Sequence, residues 1–110
     1  MSTASLGRDR EYRVRAHMVA DGWTCVMRAA ASKGVADLLM VHQDHGLALV
    51  QVGSRTKRID PADRAKFVQY ARWCCALPLL AVVVPRRPVR YWVVDEGPAG
   101  GWATWPQERP

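Results

Sequence analysis

Two aliphatic runs, Val35 to Val41 and Leu47 to Val52, are separated only by His42, Gln43, Asp44, His45 and Gly46. Branched apolar runs of this length, broken by a short polar segment that ends in glycine, pair as a β-hairpin buried on at least one face. With 42–46 as the loop, Val41 faces Leu47, and counting outward from that pair puts Asp37 opposite Gln51. Directly opposed residues share a face, and Gly53, two residues beyond Gln51, projects to it as well. One carboxylate, one amide and one position without a side chain therefore line up on an otherwise aliphatic strand pair. An isolated carboxylate in such a run is costly and would otherwise take up a proton. Asp37 thus calls either for backbone N–H donors near a strand end or for a hard cation. Mg²⁺ takes oxygen ligands and keeps several waters, so Asp37, the Gln51 amide oxygen and a backbone carbonyl would serve as a weak site completed by a substrate phosphate.

The rest of the chain reads around this hairpin. Residues 9–21 place Tyr12, Ala16 and Val19 at helical intervals and end at Asp21-Gly22, which predicts an amphipathic helix with a glycine stop. Trp23 to Arg28 alternate as a strand does, and a short linker, Ala29 to Gly34, follows. Asp60 as N-cap, Pro61 in the first turn and Asp63 at the positive end of the dipole open a second helix. Phe67, Tyr70, Ala71 and Cys74 mark its buried face, and Pro78 bounds it. Leu79 to Val84 and Val89 to Val94, on either side of Pro85-Arg86-Arg87-Pro88, are two further strands. The order α-β-β-β-α-β-β predicts an α/β fold, a mixed sheet flanked by helices. Residues 1–97 are expected to form one domain and 98–110 a Gly/Pro/Trp-rich C-terminal tail, whose Trp102 and Trp105 would dock on the domain or anchor a partner.

Composition narrows the partners. A chain of 110 residues supports one modest core, and its net charge of +6 excludes an acidic, disordered character. The charge is uneven: residues 51–90 hold nine basic and two acidic side chains, among them Arg55, Lys57 and Arg58 after a strand and Arg86, Arg87 and Arg90 around a proline-flanked turn. Such clusters are either a solvated face or a surface for a polyanion. The longest apolar stretch, Trp73 to Val84, is twelve residues long and contains Pro78, short of the roughly 20 that a membrane span needs. With no signal-like N-terminus, and with three cysteines of which Cys74 and Cys75 are adjacent, reduced thiols and a cytoplasmic location are expected. His42 and His45 lack the second ligand pair of a zinc site.

Glu11 to Arg15, Gly22-Trp23, Arg28 to Asp37 (RAAASKGVAD) and Leu49 to Arg55 (LVQVGSR) together resemble the Holliday junction resolvase branch of the PD-(D/E)XK nuclease superfamily, over about residues 8–94. The resemblance implies a restriction-endonuclease-like sheet and a Mg²⁺-dependent endonuclease, with Mn²⁺ as a substitute, that cuts branched or four-way junction DNA as a two-fold homodimer. It implies a helix glutamate at Glu11, a loop serine at Ser32 and the hallmark aspartate at Asp37, where Ala36 replaces the usual preceding proline. The acidic-x-lysine pair falls on Gln51-Val52-Gly53. Glutamine keeps an oxygen ligand with one charge fewer, but glycine cannot stabilise charge developing on a phosphate. Lys57, Arg55 or Lys33 would have to reach back to that place. The expected site is therefore Glu11, Ser32, Asp37, Gln51 and Lys57, with Asp37, Gln51 and Glu11 as metal ligands and Arg10, Arg28, Lys33, Arg55, Lys57 and Arg58 on DNA. Read without the resemblance, Glu11 would pair with Arg15 and Ser32-Lys33 would be turn formers. The competing function is a DNA-binding or partner-binding protein on the same fold that has lost catalysis with its lysine.

Overall fold

The computed structural model describes residues 3–28 and 36–106; Ser32 and Lys33 lie outside the described residues. Helix α1 (Thr3–Ala20) leads into strand β1 (Thr24–Arg28), followed by β2 (Leu38–His42), β3 (Gly46–Gly53), helix α2 (Pro61–Trp73), β4 (Ala76–Val82), β5 (Arg90–Val93) and β6 (Ala103–Trp105). The six strands form one sheet in chain order. All neighbours are antiparallel except β3 and β4, which run parallel because α2 carries the chain back between them. This is the mixed sheet flanked by helices that the order of elements implies.

The hairpin has the expected register: Leu38 pairs with Val50 and Val41 with Leu47, about a turn of Gln43 to His45. Side-chain alternation then sorts the sheet into two layers. Leu38, Met40, Ala48, Val50, Leu79 and Ala81 pack with Val14 and Met18 of α1. Leu80 and, partly buried, Leu49 and Val82 pack on the other side with Phe67 and Val68 of α2. Gln51 and Gly53 pair with Leu80 and Val82, so their positions belong to the α2 face.

Three local expectations are corrected. The inward stripe of α1 is Val14 and Met18, whereas Tyr12 and Val19 of the expected stripe are 65% and 51% exposed. The inward stripe begins at Glu11, and a carboxylate in it hides the apolar period that would otherwise reveal it. On α2, Asp60 caps as expected, its Oδ1 accepting the Asp63 N–H at 2.9 Å. Its buried face, however, is Phe67, Val68 and Ala71, while Cys74 is exposed and Tyr70 half-buried. The helix stops at Trp73, and Cys75 takes a left-handed conformation (φ 54°), so that Pro78 lies within β4 rather than at the helix end. The Pro78 carbonyl accepts the Val94 N–H just past β5, so the donor that proline lacks would have pointed at the frayed end of that ladder.

Residues 98–106, read from sequence as irregular, add β6 along β5, with Trp105 opposite Tyr91. Trp105 meets the His45 ring edge-on, with centroids 5.1 Å apart, and Trp102 donates its indole N–H to the Gly97 carbonyl at 3.0 Å beside the α2-side core. Both tryptophans are thus anchored within the domain, not offered to a partner.

Candidate active site and anion-binding surface

Asp37 stands immediately before β2, where the ladder to β3 runs out. Its N–H donates to the Val50 carbonyl at 2.8 Å, and its Oδ2 accepts the Val52 N–H at 2.7 Å. A carboxylate oxygen that takes a neighbouring strand's N–H lies close to the plane of the sheet, so Asp37 fills an edge position between the two faces. The sequence left two roles open for this carboxylate, and the hydrogen-bonded one is met by Oδ2. Among the described residues Oδ1 accepts no hydrogen bond, which leaves one oxygen of a half-buried carboxylate for a further partner.

Glu11 approaches from α1. Its side chain is only 13% exposed and lies 3.8 Å from the Arg28 guanidinium. Burial, and secondarily the negative charge of Asp37, raise its pKa above the usual carboxylate value, while Arg28 opposes the shift. Two carboxylates that repel through a partly buried space suit a hard cation, whereas Gln51 projects to the α2 face, the opposite layer from α1 and Glu11. Glu11, Asp37 and Gln51 supply oxygens only, the chemistry Mg²⁺ or Mn²⁺ prefers. No group of three or more His, Cys, Asp or Glu side chains among the described residues is arranged to hold a metal. The pairing of Glu11 with Arg15 does not form: Arg15 instead lies over the Tyr12 ring, 5.4 Å from its centroid. Arg28, expected on DNA, is engaged with Glu11.

The raised pKa of Glu11 has a consequence for stability. A carboxyl that holds its proton more tightly when folded penalises the fold once ionised, and that penalty is absent below its ordinary value of 4.5 and complete above its raised folded value. Glu11→Gln is therefore expected to raise Tm at neutral pH, the advantage shrinking to nothing as pH falls below 4.5. Thermal melts of both proteins across that range check it; an unchanged or lowered Tm at pH 7 would contradict the electrostatic picture.

Gly53 ends β3 and is buried, with no positive φ to demand glycine. Its reason is space. A Cβ built on it would overlap Lys57 Cβ and Cγ and lie 2.8 Å from Lys57 Cδ. The lysine stem therefore runs across the face of the strand where a residue-53 side chain would start, on the side shared with Gln51. A turn closed by the Lys57 N–H on the Ser54 carbonyl, at 2.9 Å, brings it back. Of the three side chains expected to substitute for the missing lysine, Lys57 is brought to the place; Arg55 is exposed elsewhere in the same loop.

Arg10 and Arg55 meet in a cavity of about 480 Å³ beyond the carboxyl ends of β3 and β4, lined also by Asp9, Arg13, Ser54 and Thr56. Arg13 was not singled out from sequence. It donates through Nη1 to the Val84 carbonyl at 3.1 Å and through Nη2 to the Arg87 carbonyl, tying α1 to the β4–β5 loop. Its only sequence signal is a position one helical turn after Arg10. Arg58 is exposed before α2 and does not line this cavity.

No family model and no curated protein matches the chain. Among solved structures it is similar to Hjc of Archaeoglobus fulgidus, a Holliday junction resolvase from an archaeal hyperthermophile, with a TM-score of 0.68 and 17% identity over 79% of this chain and 76% of that one. The chain has that protein's fold, a restriction-endonuclease-like mixed sheet flanked by helices.

Proposed function

We propose that the chain is a divalent-metal-dependent endonuclease that hydrolyses phosphodiester bonds in branched DNA, four-way junctions above all. The observation that carries the reading is the Lys57 stem laid over Gly53, beside Gln51 and across from the strand that begins after Asp37. A side chain at position 53 would obstruct that lysine. The fold shared with an archaeal Holliday junction resolvase supports the choice of substrate.

Asp37, Glu11 and Gln51 would hold Mg²⁺ or Mn²⁺. Such an ion would supply Lewis acidity toward a phosphate oxygen and toward the attacking water. The chain's own residues do the rest. Asp37 is fixed by the Val52 N–H, so its carboxylate is presented without rotamer search. Glu11, held by Arg28, adds the charge that Gln51 lacks. Lys57 supplies a cation for charge developing on the phosphoryl oxygens. Ser32 and Lys33 would contact phosphate from the preceding loop, and Arg10, Arg55 and Arg58 the DNA backbone.

Cutting two symmetry-related strands suits a two-fold homodimer. An apolar recess of about 350 Å³ lined by Leu39, Leu49, Tyr70 and Trp73, the last 69% exposed, also includes Asp37, so a second copy seated there would lie directly against the site. The three cysteines are free thiols, in keeping with a reducing cytoplasm.

The test is incubation of the full chain with a labelled four-way junction in Mg²⁺ or Mn²⁺. Discrete cleavage products are expected, abolished by EDTA and absent with Asp37→Asn purified in parallel. Tight, salt-sensitive binding with no cutting would replace this reading with that of a non-catalytic DNA-binding protein.

A further inference from the structure

Parallel strands leave a crevice outside their carboxyl ends, and ligands of open α/β sheets collect there. Here β3 and β4 end together at Gly53 and Val82. The loops that follow, Ser54 to Thr56 and Val83 to Pro85, form two walls of the 480 Å³ cavity, and Asp9, Arg10 and Arg13 of α1 form the third. Three guanidinium groups face one carboxylate, that of Asp9, which has no ion-pair partner within 4.0 Å among the described residues. The Ser54 and Thr56 hydroxyls are hydrogen-bonded to each other at 3.2 Å, one donating to the other, which leaves one hydroxyl proton of the pair for a ligand. Arg13 spends one N–H of each terminal nitrogen on loop carbonyls, so its fork is immobilised while further N–H groups stay available. Arg10, Arg13 and Ser54 are each half-buried and line the recess, whereas Arg55 and Thr56 stand exposed at its rim.

We propose that this pocket is a second phosphodiester site, which grips a DNA backbone phosphate other than the one cut and fixes the register of the strand over Asp37. It rests on the DNA-binding reading above and adds to it the part of the substrate that is held. One immobilised guanidinium, two further arginines and a hydroxyl pair around a net positive recess match a tetrahedral anion with several oxygens. The pocket adjoins the site along the chain, because Ser54 to Thr56 link Gly53 to Lys57 directly. Arg13 acts here as a positioning residue: by holding the Val84 and Arg87 carbonyls it keeps the β4–β5 wall closed against α1.

The experiment measures binding of the full chain to a fluorescent four-way junction in EDTA, as a function of salt, with single neutral methylphosphonate linkages placed in turn along the strand. Arg10→Ala with Arg55→Ala should weaken binding by about 100-fold and flatten the salt slope by about one. Thr56→Val leaves the charge unchanged and should weaken binding by about threefold at constant slope. Lys66→Ala, on exposed α2, serves as the control and should change little. One methylphosphonate position should cost affinity in the wild type and cost nothing further in the double variant. Equal losses for the double variant and for Lys66→Ala, or a methylphosphonate scan identical in both proteins, would overturn the pocket. Those results leave the nuclease reading intact if junctions are still cut in Mg²⁺. Conversely, coupling at one phosphate without any cutting upholds the pocket and removes the nuclease.

Discussion

Lys57→Gly is expected to slow metal-dependent cleavage by about 10²- to 10³-fold, and Gly53→Lys introduced into the same chain to return most of that loss. The first effect is the usual cost of removing one preorganised cation from a developing phosphoryl charge. The second follows from geometry. Lys57 and a side chain at 53 compete for one space, since a Cβ on Gly53 would overlap the lysine stem from its Cβ onward. Lys57→Ala would leave the offending Cβ in place, which is why glycine is the right partner in the exchange. Gly53→Lys alone, with Lys57 retained, should gain nothing and should destabilise the fold by about 1–3 kcal/mol through overpacking. Single-turnover cleavage and thermal melts of the two single variants and the double distinguish these effects. If Lys57→Gly cuts as fast as the wild type, Lys57 is no part of the chemistry and Gly53 is kept for packing alone.

The hairpin was the most legible part of the chain. A five-residue polar loop between aliphatic runs leaves one register that keeps both apolar sets buried, so the pairs from Val41–Leu47 out to Leu38–Val50 could be counted from the sequence, whereas Asp37, one residue beyond, leaves the ladder and turns its carboxylate to the Val52 N–H. The N-cap at Asp60 was legible for a similar reason: aspartate, proline and aspartate in that order agree with little else. What the sequence hid lies where function or tertiary context overrides a local rule. Glu11 interrupts the inward stripe of α1, so the apolar period shifts to Tyr12 and Val19, which face solvent. Pro78 reads as a helix boundary and is tolerated in β4 only because β5 ends beside it. Trp102 and Trp105 look like loose anchors until β6 adds along β5, a pairing between residues separated by a glycine-rich turn with no periodic signal. Arg13 and the walls of the basic pocket come from three distant segments, and no linear motif could have joined them.

The second large effect concerns the cation itself. If Asp37, Glu11 and Gln51 share a divalent ion, charge at the site should set its affinity: Asp37→Asn should weaken binding by at least about tenfold, and Gln51→Glu, which restores a second strand carboxylate, should tighten it by a similar factor. The raised pKa of Glu11 points the same way, because a cation would relieve the repulsion from Asp37 that contributes to it. The two variants move in opposite directions, which a mere loss of packing at this sheet edge would not produce.

Paramagnetic broadening by Mn²⁺ in the amide NMR spectrum of the DNA-free chain reads this out residue by residue, even at weak affinity. At substoichiometric Mn²⁺, the amides of Glu11, Asp37, Gln51 and Val52 should broaden first in the wild type, at lower Mn²⁺ in Gln51→Glu, and no longer selectively in Asp37→Asn. Broadening centred elsewhere, such as at His42 and His45, or a pattern unchanged by Asp37→Asn, would contradict a metal site at the end of this hairpin.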